Sequence, residues 1–423
     1  MASRPGGFLI HALIVVGLLA AALVVFSMFG GAEIAIGNVV LRAQGGVSYA
    51  LAPPSASALE AAPFGITEDE VLGGLPKNVI VIMGDGMGIG MVSAASQLLS
   101  PPGVPLRVES APVVGLMHTW AANILATDSA AAATAMATGY KTDKGILGLL
   151  PDGRAVRTLF EAARDAGFAT AVVTTSGLAD ATPGGFLTHV SSRDDYDHVF
   201  SQQLDSGTEI LVGGDWSANP KASRRAPYRE LIENVEALGA ERGYTVIRDW
   251  KEMEKANPPM LVILPPRPEM PLQHGPPLAE TTALVLDHLE RSGDRFIALL
   301  ETEVTDEAGH SNDMTQTLNG MREYEDTVAL VLDRVISRND TLVLLLGDHE
   351  TGGPHLLEGE YDDGQVVVRW AHKDHSSQLV PVFAFGPGST AFSGVFDNTQ
   401  FGVRIARLLD LENFPQLADS QQN

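Results

Sequence analysis

Short apolar runs punctuate the chain at 78–83, 169–175, 208–213, 296–300, 341–346 and 380–385, and each reads as a buried strand. Longer stretches at 88–99, 129–138, 155–166, 227–239, 278–291, 314–337 and 399–410 read as helices between them. Strands that alternate with helices predict an α/β fold, a three-layer α/β/α sandwich with a mostly parallel central sheet. In such a sheet, ligands gather beyond the carboxyl ends of the strands.

The flanks follow a different pattern. Between Arg4 and Glu33 lie 28 residues without Lys, Arg, Asp or Glu, and their apolar core, Phe8 to Phe29, is 22 residues long. That length can span a bilayer, which needs roughly 20 residues, and exceeds the roughly 7–15 of a secretory core. Residues 1–32 therefore read as an N-terminal membrane anchor or a signal segment. Either places the rest outside the cytoplasmic membrane, periplasmic or at the cell surface, and Arg4 on the N-terminal flank agrees. Residues 33–73, with Gln-Gly-Gly and Pro-Pro-Ser-Ala-Ser-Ala, read as a linker. Residues 74–415 form one large domain with an irregular insertion at 194–295, and 416–423 is a polar tail.

Composition narrows the function. Of 423 residues, 45% are hydrophobic, enough for a substantial core. A formal net charge of −24 repels a nucleic acid polymer and excludes it as a partner. A small anionic substrate needs local cations to overcome that field. There is no cysteine, which removes disulfides, thiolate nucleophiles and Cys-zinc sites. Any zinc must use His and Asp or Glu.

Ligand-type residues sit at the strand ends. Asp85 follows 78–83, Glu301, Asp306 and His310 follow 296–300, Asp348-His349 follow 341–346, and His375 precedes 380–385. Carboxylates and imidazoles collected there can build a metal site. Each also has a bland reading. Asp85 could cap the helix near Gly88, Asp128 or Ser129 could cap the Ala-rich helix, and 301–310 could be an acidic loop with Glu303 and Glu307. Arg193 could clamp a phosphate or make a surface ion pair, and His372 is locally as good a candidate as His375. Asp180 and Thr182, with Glu301, offer the oxygen ligands that Mg²⁺ prefers. There is no Gly-x-Ser-x-Gly elbow, and the glycines near Asp85 do not form a dinucleotide fingerprint.

Taken in order, Asp85-Gly, Thr127-Asp-Ser-Ala-Ala, Asp180-Ala-Thr-Pro, Ser192-Arg193, Glu301-(x4)-Asp306-(x3)-His310, Asp348-His349 and His375-Ser-Ser-Gln resemble the alkaline phosphatase family over residues 77–410. The resemblance implies a catalytic domain that hydrolyses phosphate monoesters with two Zn²⁺ and one Mg²⁺. Asp306, His310 and His375 would hold one zinc, and Asp85, Asp348 and His349 the other. Asp85, Thr182 and Glu301 would hold magnesium, with Asp180 orienting its waters. Ser129 would be the nucleophile that becomes a phosphoserine, Arg193 the phosphate clamp, and the assembly a homodimer. Arg193 and the oxygen ligands favour a dianionic monoester over a diester or sulfate ester. Glu307 departs from the family, where a basic or imidazole residue is common, and points the other way, to a binding protein without turnover.

Overall fold

The computed structural model describes residues 33–36, 39–42 and 74–417, apart from 101–103, 217–218, 220–225, 269 and 361–364. The apolar segment 8–29 lies outside the described residues. Among the described residues, no helix is long and apolar enough to cross a membrane. Glu33–Ile36 pairs antiparallel with Val39–Arg42, so a short hairpin stands where the composition reads as linker.

Among the described residues, ten strands form the central sheet. In chain order they are β1 (Asn78–Gly84), β2 (Val113–His118), β3 (Ala169–Gly177), β4 (Ile210–Gly214), β5 (Thr245–Ile247), β6 (Met260–Leu264), β7 (Phe296–Thr302), β8 (Thr341–Leu346), β9 (Val380–Phe385) and β10 (Gly394–Asp397). Their spatial order is β10-β2-β9-β8-β1-β7-β3-β4-β6-β5. β9 runs antiparallel to both β8 and β2, and the other bonded pairs of this sheet are parallel. The three-layer, mostly parallel architecture is as the pattern predicts.

The central strands are apolar throughout because both faces are covered. Val79, Val81 and Met83 of β1 pack into one core with the helices Ser129–Thr138 (α2), Leu159–Asp165 (α3), Ala181–Leu187 (α4), Tyr196–Asp205 (α5) and Thr399–Leu408 (α11). Ile80 and Ile82 pack on the opposite face with Ile89–Leu98 (α1), Leu278–Ser292 (α8) and Met314–Val335 (α10). The two remaining helices of the first face are Ala226–Glu233 (α6) and Val235–Glu241 (α7), and Val304–Ser311 (α9) follows β7 directly.

The region 194–295 is more regular than its composition implies. It supplies β4, β6 and β5, the end of the sheet, and a hairpin pairing Pro266–Arg267 with Met270–His274. Prolines on both sides of the short run at 260–264 hide β6 in the sequence. β2 is hidden differently, because its residues alternate between buried and more exposed positions and Gly115 interrupts them. The expected tail begins later than 416: Arg157 N donates to Gln416 O at 2.9 Å, and Leu417 pairs with Val156.

α2 decides how the nucleophile candidate is presented. Every residue of Ser129–Thr138 is buried, and the run of alanines lets neighbouring helices approach closely. α4 uses Gly185 for this approach. A Cβ at Gly185 would lie 2.6 Å from Ala133 Cβ and 2.9 Å from the backbone N of Thr134. Gly185→Ala should therefore destabilise the fold by about 1–3 kcal/mol through overpacking. A urea midpoint equal to that of the wild-type protein would show that α2 and α4 do not pack as described.

Candidate active site

Strand register places the first set of ligands. Met83 of β1 lies level with Leu346 of β8 on one side and Glu301 of β7 on the other. Two residues further along each chain come Asp85, Asp348 and Glu303. Asp85 N continues the ladder by donating to Thr302 O at 3.0 Å. Gly86 then turns with φ +68°, and a Cβ there would sit 2.6 Å from Thr351 Oγ1 and 2.8 Å from Asp306 Oδ1. Only glycine leaves that space, and its N–H donates to Asp348 Oδ1 at 3.1 Å.

His375 precedes its strand yet reaches the same edge. β9 is reversed, so its amino end lies beside the carboxyl ends of the parallel strands. A two-residue ladder, Glu350 with Ser376 and Thr351 with His375, fixes it against the segment after Asp348. Asp306 and His310 stand one turn apart on α9, with His310 Nε2 3.2 Å from Asp306 Oδ2. His375, and not His372, lies against Asp306 and His310. His372 Nδ1 bonds Asp374 O instead, and its Nε2 lies 3.5 Å from Glu350 Oε2.

The imidazoles are oriented as metal ligands. His310 Nδ1 contacts Lys373 O at 2.9 Å, and His375 Nδ1 contacts Thr127 O at 2.7 Å. A carbonyl only accepts, so each Nδ1 carries a hydrogen, and each Nε2 presents a lone pair whenever the ring is neutral. Those two Nε2 atoms are 3.1 Å apart, and both face Asp306. Without a metal, a proton on His310 Nε2 shared with Asp306 relieves the repulsion between them, and a metal cation could take its place. Thr351 Oγ1 donates to Asp306 Oδ1 at 2.5 Å and takes His349 Nδ1 at 3.2 Å. His349 Nε2 is thereby left as an acceptor, 3.1 Å from Ser129 Oγ and 3.3 Å from both Asp85 Oδ1 and Asp348 Oδ2.

Ser129 is the first residue of α2, and its neighbour Asp128 is the cap, accepting from Ala131 N at 3.1 Å. The serine hydroxyl is therefore free of capping duty and lies at the positive end of a helix dipole. Arg193 is braced by two carboxylates, Asp128 Oδ2 at 3.3 Å and Asp180 Oδ1 at 3.1 Å. Burial works against its charge, but Asp180 and then Asp128 raise its pKa. The sequence pattern missed this role of Asp128, which reads there only as a cap. Asp180 also accepts from Ala181 N and Ser176 Oγ, both at 2.6 Å.

Negative charge dominates the site. Burial, then Asp348, pushes Asp85 well above the usual carboxylate range. Burial raises Glu301 to about 8, Asp348 to about 6 and Glu307 to about 7, and pushes Glu303 far up. Burial also pushes Asp306 upward, but its bonds to His310 and His375 outweigh this and hold it well below its usual value. His310 rises to about 9, chiefly through Asp306, while burial holds His349 well below 6.5. Asp85 Oδ1, Asp348 Oδ2, Thr182 Oγ1 and both oxygens of Glu301 are buried without hydrogen-bond partners. Unpaired buried oxygens of this kind are expensive unless a cation meets them.

Among the described residues, possible ligand atoms collect in three groups, each within 4.8 Å: Asp306, His310 and His375; Asp85, Asp348 and His349; and Asp85, Glu301 and Glu303. The first two are the expected zinc sets, and their imidazoles and carboxylates suit Zn²⁺. The third is an all-oxygen group suited to Mg²⁺. It contains Glu303, which reads in the sequence as part of a solvated acidic loop. The β7–β1 pairing, which brings Glu303 level with Asp85, is the signal that the local pattern lacks.

Comparison with known proteins agrees with this geometry. The sequence profile of the alkaline phosphatase family matches residues 76–367. Alkaline phosphatase 3 of Bacillus subtilis is 26% identical, covering 79% of this chain and 89% of the relative. Streptomycin-6-phosphate phosphatase of Streptomyces griseus is 28% identical, covering 83% of this chain and 94% of the relative. The structure of alkaline phosphatase from the Antarctic bacterium TAB5 shares the fold with a TM-score of 0.70 at 24% identity, over 80% of this chain and 99% of that one.

The charge balance makes stability of the metal-free protein depend on pH. Glu301 rises from 4.5 to about 8 and His310 from 6.5 to about 9, so the folded state binds more protons than the unfolded chain across this range. The stability Glu301 contributes is complete below 4.5 and lost as pH rises through 8, and that of His310 is complete below 6.5 and lost through 9. Urea unfolding in chelator should show stability falling from pH 5 toward 9, with zinc and magnesium flattening the decline. Stability that rises over that range in chelator would contradict the packing of these groups.

Proposed function

The chain belongs to the alkaline phosphatase family and is a phosphoric monoester hydrolase, and from that premise we propose that it works through a covalent phosphoserine at Ser129. The observation that carries this reading is Ser129 Oγ at 3.1 Å from His349, at the edge where the three ligand groups meet. Asp306, His310 and His375 would hold one Zn²⁺, Asp85, Asp348 and His349 a second, and Asp85, Thr182 and Glu301 one Mg²⁺. When bound, these cations supply the positive charge that an alkoxide nucleophile and a departing oxyanion require.

The chain's own residues bind and orient the substrate. Arg193, with two of its N–H donors held by Asp128 and Asp180, points its remaining donors at the phosphoryl oxygens. The free N–H groups at the start of α2 favour the same anion. Ser129 Oγ attacks phosphorus in line, forming the serine O–P bond as the bond to the leaving oxygen breaks, and the leaving alcohol takes up a proton. Water then attacks the phosphoserine from the same side, releasing inorganic phosphate and restoring the hydroxyl. Two inversions give net retention at phosphorus. Asp180 sets the arginine's plane and orients water at the magnesium group.

The same reading places the enzyme outside the cytoplasmic membrane, periplasmic or at the cell surface, because residues 5–32 carry no Lys, Arg, Asp or Glu. It would associate with the membrane through residues 1–32 or be secreted after their cleavage, and would work as a homodimer on small phosphate monoesters. A membrane-impermeant amine reagent should label it on intact cells, and labelling only after lysis would refute that location. Light scattering that returns a monomer mass would refute the homodimer.

Ser129→Ala should reduce hydrolysis of p-nitrophenyl phosphate at least about a thousandfold with both metals present. A change of only a few-fold would rule out Ser129 as the nucleophile. Arg193→Ala should weaken inhibition by inorganic phosphate roughly tenfold or more, and an unchanged inhibition constant would remove the arginine from the phosphate site.

A further inference from the structure

Glu303 occupies the N-cap position of α9. The shorter Asp, Asn, Ser and Thr are the usual caps at this position, and Glu is not among them. Glu303 makes no side-chain cap hydrogen bond. Its side chain extends instead toward Asp85 and Glu301, with ligand oxygens of all three within 4.8 Å. The residue is only 9% exposed, and its Oε2 has no hydrogen-bond partner.

The backbone beneath it is held in place. Glu303 N donates to Thr175 Oγ1 at 3.1 Å, and Thr175 Oγ1 donates to Gln273 Oε1 at 2.7 Å. Gln273 Nε2 in turn donates to Glu307 Oε2 at 3.1 Å. β3 and the hairpin from the 194–295 region thus fix the point from which Glu303 reaches the group. A buried Glu303 oxygen without a partner and two such oxygens on the adjacent Glu301 meet at one place.

We propose that Glu303 is a direct ligand of the magnesium ion, so that three carboxylates, Asp85, Glu301 and Glu303, hold it beside the neutral Thr182. This rests on the three-metal reading above. A third carboxylate increases the attraction for a divalent cation, and an all-oxygen set favours a hard ion over zinc.

The test uses the zinc-loaded full-length protein, titrated with Mg²⁺ by calorimetry, with Glu303→Gln, Glu303→Asp and Glu301→Gln as variants. Glu303→Gln, nearly isosteric, should raise the Mg²⁺ Kd roughly tenfold or more. Its zinc content by elemental analysis should equal that of the wild type, and Glu303→Asp should recover part of the affinity. A Mg²⁺ Kd within twofold of wild type in Glu303→Gln overturns the assignment. So does a variant that loses zinc together with magnesium, because Glu303 would then be supporting the whole edge. Weakened magnesium binding in Glu301→Gln but not in Glu303→Gln removes Glu303 alone. A wild-type protein that takes up no magnesium beyond its zinc removes the magnesium site itself.

Discussion

Repulsion among buried carboxylates at one edge of the sheet is the constraint around which this molecule is organised. Asp85, Glu301, Glu303, Asp306 and Asp348 are all buried, and several oppose one another directly. Removing such charges from water is costly, and bringing them together adds to the cost. Arg193 brings a permanent positive charge to this edge through Asp128 and Asp180. Divalent ions bound at such groups would turn the same arrangement from a liability into a binding site.

The sheet makes this crowding possible without distortion. Parallel strands in register deliver Asp85, Asp348 and Glu303 to one level, and the reversal of β9 brings His375 to the same edge from the opposite chain direction. Tight turns finish the placement. Gly86 leaves room for Asp306 and Thr351, while the alanines of α2 let α4 come close enough to carry Asp180 and Thr182 inward.

A second layer of hydrogen bonds gives the polar groups their orientation. Backbone carbonyls fix His310 and His375, and the Thr351 hydroxyl links Asp306 of one ligand group to His349 of another. Glu350 accepts from Ser376 Oγ and from Gly353 N, joining the two segments that carry His349 and His375. Asp128 and Asp180 do the same for Arg193. Such bonds pre-set a phosphate site, because the groups need not reorganise when substrate arrives.

Local chemistry was legible in the chain. The apolar runs located the six strands they were read as, including those nearest the site, because both faces of a covered sheet demand apolar residues at every position. The candidate ligands at their ends were legible because several strands end in an acid or imidazole, although each singly also reads as a cap or loop residue. Strands that alternate in burial, such as β2, or that follow prolines, such as β6, lack that signature, so the two outermost strands at each edge of the sheet were not legible. The sequence by itself determined the fold class, and its family resemblance named the candidate ligands, serine and arginine. Only the tertiary structure shows His375 rather than His372 against Asp306, pairs Asp128 with Arg193 and brings Glu303 beside Asp85 and Glu301. Those choices depend on strand register and direction, which arise from pairing between segments distant in sequence.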